Sequence, residues 1–207
     1  MSAWVGKSDG FGGRTILLAG AGCTTGASLA LGFARAGARV IAVDHEEMPV
    51  MIMARQEPSR IDPLRLNLLD SLQRTQFADI WQDEPVHVLV HLQPVRHQDV
   101  PSTSIQSVLA MSDLLSPALQ RGAGRELIVY RSLSPSAATE ALAFQPAVEQ
   151  LAGLLDRRSA VQGRCVNAMV LPADPRADDR RQITRTALWL TDPKGPPVWG
   201  SVICLGA

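Results

Sequence analysis

The stretch Arg14-Thr15-Ile16-Leu17-Leu18-Ala19-Gly20-Ala21-Gly22-Cys23-Thr24-Thr25-Gly26 decides the fold. Its first six residues form an apolar run of strand length. The rest is a glycine-rich turn. Over 26–36 the period changes, with Leu29 and Phe33 four apart on one helical face. Gly37 closes that helix, as glycine does just past a C-terminus. Residues 39–44 (RVIAVD) then read as a second strand. Strand, glycine turn, helix and strand together open a parallel α/β sheet.

The alternation continues along the chain. Further strands are expected over 61–67, 86–92, 125–130, 164–171 and 201–205, the first weakened by Pro63. Helices are expected over 71–81, 104–119, 146–158 and 178–191. In 104–119 the residues Ile105, Val108, Leu109, Ser112, Leu115 and Leu119 share one face, and Pro117 ends or kinks the helix. Apolar strands separated by helices imply a sheet covered on both faces. Right-handed crossovers place the helices in two layers. The expected fold class is α/β: a doubly wound, Rossmann-like, seven-stranded parallel sheet with helices on both faces. It forms one domain over 1–207, with 1–13 as an N-terminal extension.

Composition narrows the function. The 207 residues are 46% hydrophobic and 19% charged, which excludes intrinsic disorder. Twenty basic residues balance twenty acidic ones, and aromatics are only 4%. Neither nucleic acid nor an anionic membrane is an expected partner. Cys23, Cys165 and Cys204 have neither disulfide nor zinc spacing. The N-terminus carries no apolar leader and no long apolar span follows, so a cytoplasmic location is expected. His45, His87, His91 and His97 match no ligand spacing, and no metal is expected.

The glycine turn carries the candidate chemistry. Gly20, Gly22 and Gly26 let the backbone turn sharply and let a diphosphate approach a helix N-terminus. Asp44 ends the second strand, 44 − 20 = 24 residues after Gly20, where an acid accepts adenosine ribose hydroxyls and repels a 2′-phosphate. The dinucleotide implied is NAD. The alternative is a turn that closes a βα connection without a ligand.

These residues resemble the short-chain dehydrogenase/reductase family, and the resemblance runs the length of the chain. The run 14–20 resembles its first strand, and 26–40 its first helix and second strand. Asn67-Leu68-Leu69-Asp70 stands where members have Asp-Val-x-Asp. Val88-Leu89-Val90-His91-Leu92-Gln93-Pro94 stands where they have a strand ending in Asn-Asn-Ala-Gly. Residues 147–151 and 163–168 resemble the helix and strand after the active site. Residues 187–192 and 200–203 resemble the last helix and strand. The resemblance adds Thr24, Asn67, Leu68 and His91 to the cofactor-binding positions.

The resemblance also implies a Ser-Tyr-Lys set supported by an Asn, and here these roles are vacant. Aligned on Ala147–Leu151, the Tyr position falls on Ala141 and the Lys position on Gln145. The Ser position falls near Leu133, flanked by Ser132 and Ser134, and the Asn position near Ser104. Alanine carries no proton, and glutamine has no charge with which to depress a neighbour's pKa. Pro146 biases Gln145 away from helical angles, so the helix is expected to begin at Pro146. A β-branched Thr24 replaces the middle glycine and crowds a diphosphate. The family's helical lid shrinks to Pro172-Ala173-Asp174-Pro175-Arg176-Ala177.

Other residues are ordinary. Cys23 sits near a helix N-terminus, where a thiol pKa can fall, yet it reads as an inert small residue. Arg180, Arg181 and Arg185 read as a solvated helix face, and Trp189 and Trp199 as packing or interface residues. The expected protein is a pseudoenzyme: a structural or regulatory subunit, homo-oligomeric or heteromeric with an active homologue, with no cofactor or weakly bound NAD. The alternative is an NAD-dependent oxidoreductase of altered chemistry using His91 or Ser132.

Overall fold

The computed structural model describes residues 9–132, 144–174 and 179–205. Seven strands form one sheet: β1 Thr15–Ala19, β2 Arg39–Asp44, β3 Ile61–Arg65, β4 Val88–His91, β5 Arg125–Arg131, β6 Cys165–Leu171 and β7 Val202–Cys204. Their order is β3-β2-β1-β4-β5-β6-β7, and every pairing is parallel. This is the doubly wound sheet expected from the alternation.

The helices are α1 Thr24–Arg35, α2 Glu47–Gln56, α3 Ser71–Ile80, α4 Gln93–Arg96, α5 Pro101–Leu114, α6 Ser116–Arg121, α7 Phe144–Ala160 and α8 Arg180–Thr191. Successive strand residues point to opposite faces. Ile16 and Leu18 therefore pack with Leu29, Phe33, Val50 and Ile183 of α1, α2 and α8. Leu17 and Ala19 pack with Phe77, Leu115 and Leu119 on the other face. A third cluster joins Ile128, Tyr130 and Val170 to Val148, Leu151 and Leu155 of α7. Each fully buried Leu, Ile or Phe contributes about 1.5–3 kcal/mol.

Several details differ from the sequence reading. Phe11, assigned to the N-terminal extension, is buried and meets the Phe33 ring edge-on at 5.3 Å, so the core begins before residue 13. The third strand stops at Arg65. Pro63 is tolerated because β3 is an edge strand, with a partner on one side only. Helix α2 is additional; it buries Val50, Met53 and Ala54. The expected helix over 104–119 is two helices that share Leu115 as a cap, since Pro117 has no N–H for Asp113 and its ring crowds that carbonyl. At α8, Asp179 is the N-cap rather than a first-turn residue, and its Oδ1 accepts the N–H groups of Arg181 and Gln182 at 2.9 and 3.1 Å. Among the described residues no helix is long and apolar enough to cross a membrane.

Candidate functional site

The strand order builds the site. β1 lies between β2 and β4, so the chain leaving β2 and the chain leaving β4 converge over the glycine turn that follows β1. Gly20 takes a left-handed φ of 85°, and a Cβ there would stand 3.0 Å from the Gln93 nitrogen. A Cβ on Gly26 would stand 2.2 Å from the Ala21 carbonyl oxygen. Both glycines therefore serve close backbone packing of the turn itself. The Cys23 sulfur caps α1 by accepting the Gly26 N–H at 3.4 Å. Burial pushes the Cys23 thiol up, with Asp44 adding to the rise, which disfavours the nucleophilic thiolate. Thr24, the first residue of α1, is exposed.

Asp44 ends β2 as the sequence indicates, but its carboxylate faces inward. The side chain is fully buried. Its Oδ2 accepts the Gly22 N–H at 2.7 Å, and its Oδ1 accepts the Glu46 N–H at 3.0 Å. A Cβ on Gly22 would lie 2.5 Å from the Asp44 carboxyl carbon, so glycine is required there by the acid. His45 Nδ1 stands 3.2 Å from Oδ1. Arg96 comes across from α4. Its Nε lies 3.5 Å from Asp44 Oδ2, an ion-pair distance, and its terminal amine is bound to Glu46. The His45 and His97 rings meet beside it with centroids 5.2 Å apart and planes tilted by 40°. Burial lowers the His97 pKa, and Arg96 and His45 lower it further.

The neighbouring positions are also self-satisfied. Asn67 is exposed beyond β3; its Oδ1 accepts the Leu69 N–H at 3.0 Å in an Asx turn, and its own N–H donates to Gln73. Leu68 is buried, and its carbonyl accepts the Ser107 hydroxyl at 2.7 Å and Arg74 at 2.7 Å.

His91 does not line a cleft. It is fully buried at the end of β4, with Nε2 3.3 Å from Glu126 Oε2. The same carboxylate accepts Ser112 at 2.6 Å and Arg164 at 3.2 Å. Burial alone would raise the Glu126 pKa. His91, Ser112 and Arg164 outweigh it and hold the carboxyl below the ordinary range. The network ties β4, β5 and the start of β6 together. Its reach across three strands gave the sequence no local signal.

Of the positions that the resemblance assigns to a reaction centre, Ser104 is buried in α5, and among the described residues its hydroxyl has no partner, nor do the buried Gln93 Oε1 and His91 Nδ1. Leu133, Ser134 and Ala141 lie outside the described residues. Gln145 is helical within α7, so Pro146 does not start that helix; a proline this close to its beginning forfeits no essential bond. The Gln145 amide donates to Glu149 Oε1 at 3.1 Å. The only tyrosine, Tyr130, donates its hydroxyl to the same oxygen at 2.8 Å. Burial and the Glu149 charge push its phenol well above the ordinary range, the reverse of what proton transfer at neutral pH needs. Ser132 is spent on the Leu171 carbonyl at 3.1 Å.

No family model matches the sequence, and no curated protein does. Solved structures match it throughout. A protein described as a short-chain dehydrogenase/reductase from Burkholderia xenovorans superposes with a TM-score of 0.81 at 18% identity, covering 95% of this chain and 96% of its own. RhlG of Pseudomonas aeruginosa, described as an NADP active-site complex, gives 0.80 at 19%, covering 94% and 95%. A short-chain type dehydrogenase/reductase from Mycobacterium marinum gives 0.80 at 17%, covering 97% of each chain. The fold is that of the short-chain dehydrogenase/reductases. Within this dehydrogenase/reductase fold, Gly20, Gly22, Gly26 and Asp44 come together, whereas His91 is withdrawn into the core. An adenosine ribose needs exposed carboxylate oxygen at Asp44, and neither oxygen is exposed. As they stand, these residues do not fit NAD.

Proposed function

We propose that the chain is a non-catalytic relative of the short-chain dehydrogenase/reductases, a structural or regulatory subunit pairing with itself or with an active homologue. One observation carries this reading: the Asp44 carboxylate is held by Gly22 N–H, Glu46 N–H and His45 beneath Arg96, so the adenosine end of the cleft is filled by the chain's own groups. The reaction centre agrees with it. Ala141 and Gln145 supply neither proton nor cation, and Tyr130 is locked to Glu149 on another element. What remains is the scaffold, including α5 and α7 side by side with Ile105 and Leu109 packed against the α7 cluster. Analytical ultracentrifugation of the purified chain, alone and with a co-expressed active homologue, tests the subunit role. A defined oligomer or a 1:1 complex is expected. A monomer that also ignores the homologue contradicts it.

A second reading, an NAD-dependent oxidoreductase with altered residues, rests on the fold it shares with the RhlG/NADP complex. It requires Arg96 and Asp44 to separate when the dinucleotide arrives. Binding of NAD or NADH separates the two readings.

A further inference from the structure

We infer that the groove between α1 and α8 docks an acidic, amphipathic segment of a protein partner. The groove has a volume of about 420 Å³. Arg35, Arg180, Arg181 and Arg185 line it, and among the described residues no acidic one does. Arg35 is paired with Glu57 at 3.2 Å. Arg180, Arg181 and Arg185 are exposed, and their guanidinium groups have no acidic partner among the described residues. The chain as a whole balances twenty basic residues against twenty acidic ones, so this cluster is local and not the by-product of a basic protein.

The floor is apolar and rigid. Leu31 is half-buried there, and a Cβ on Gly32 would stand 2.3 Å from the Thr184 methyl, so the two helices meet closely at that point. Thr184 also donates to the Ser28 carbonyl at 3.4 Å, which fixes the crossing. Along α8 the exposed residues Arg181, Arg185 and Trp189 recur every four positions in one stripe of roughly 12 Å. Trp189 is 54% exposed. Arginine and tryptophan are the side chains most enriched where interfaces gain their affinity.

The chemistry of the occupant follows from this surface. Three unpaired guanidinium groups on a rim call for carboxylates, which they hold bidentately. An aliphatic floor and an exposed indole call for apolar side chains between those carboxylates. A free nucleotide is poorly served: among the described residues no aromatic ring lines the groove to stack a base, and the guanidinium heads are exposed instead of being fixed by buried partners. The inference does not depend on whether the dehydrogenase cleft binds a cofactor.

The test is fluorescence anisotropy of the full chain with a fluorescein-labelled peptide of alternating glutamate and leucine. A glutamine-for-glutamate version, ATP and pyrophosphate serve as comparisons. The acidic peptide is expected to bind with micromolar affinity, weakening steeply as salt rises, and the glutamine version not to bind. Arg181→Glu/Arg185→Glu should weaken binding at least about tenfold while the thermal midpoint holds. Should that variant misfold, Arg185→Gln reads the same loss in a milder form. Arg157→Glu, an exposed reversal on α7, should leave binding intact. Overturning results are no binding of the acidic peptide, wild-type affinity in the α8 variants, an equal loss in Arg157→Glu, or ATP or pyrophosphate displacing the peptide at lower concentration than the peptide itself.

Discussion

Asp44→Ala separates a structural carboxylate from one kept for a ligand. The substitution deletes a fully buried acid and leaves the Gly22 and Glu46 N–H groups without acceptors previously at 2.7 and 3.0 Å. It also leaves Arg96 with Glu46 as its one ion-pair partner among the described residues. Hydrogen bonds to a charged acceptor are worth about 1.5–3 kcal/mol each, and partial entry of water recovers some of that. The expected loss of folding stability is about 3 kcal/mol. For a chain of this length that lowers the thermal midpoint by roughly 6–12 °C. Asp44→Asn keeps the shape and one acceptor oxygen and should lose about half as much. Urea unfolding followed by far-ultraviolet circular dichroism reads the series. A carboxylate held ready for ribose hydroxyls would behave differently, since removing a strained site residue is commonly neutral or stabilising. A loss below about 1 kcal/mol in Asp44→Ala refutes the reasoning.

Glu126→Gln should cost about 3–5 kcal/mol in the same assay, because it leaves the Arg164 guanidinium without its carboxylate in the core and disturbs the His91 contact; a change under about 1 kcal/mol contradicts the network. His87 is lowered by burial and by Arg14, and His97 by burial with Arg96 and His45, so both stay neutral in the folded chain where the unfolded chain takes up a proton. Stability from these two is therefore full above about pH 6.5 and declines as the pH falls below it. The decline should be shallower in His87→Gln/His97→Gln, and an unchanged slope sinks the assignment. Tyr130 should show no phenolate absorbance until alkali unfolds the chain, whereas an early phenolate in the folded protein contradicts its bond to Glu149.

Much of the fold was legible because strand burial on both faces writes long apolar runs, as in Ile16–Ala19 and Val88–Val90. Helix α2 escaped because Pro49 stands in its first turn and Met48 and Ile52 are exposed apolar residues that blur its face. The position of Asp44 was legible from its distance to Gly20. The inward turn of its carboxylate was not. Arg96 reaches it only because β4 neighbours β1, and strand order leaves no local trace in the sequence. His91 misled for a similar reason: its partner Glu126, and the Ser112 and Arg164 groups that share that carboxylate, all come from later in the chain. The α8 arginines were legible as a face, but the groove they border depends on α1, far upstream.

Calorimetric titration of the full chain with NAD and with NADH tests the central claim most directly. A cleft closed by Asp44, Arg96 and the glycine turn predicts no binding heat at millimolar dinucleotide. Saturable binding of either form at micromolar concentration would contradict it.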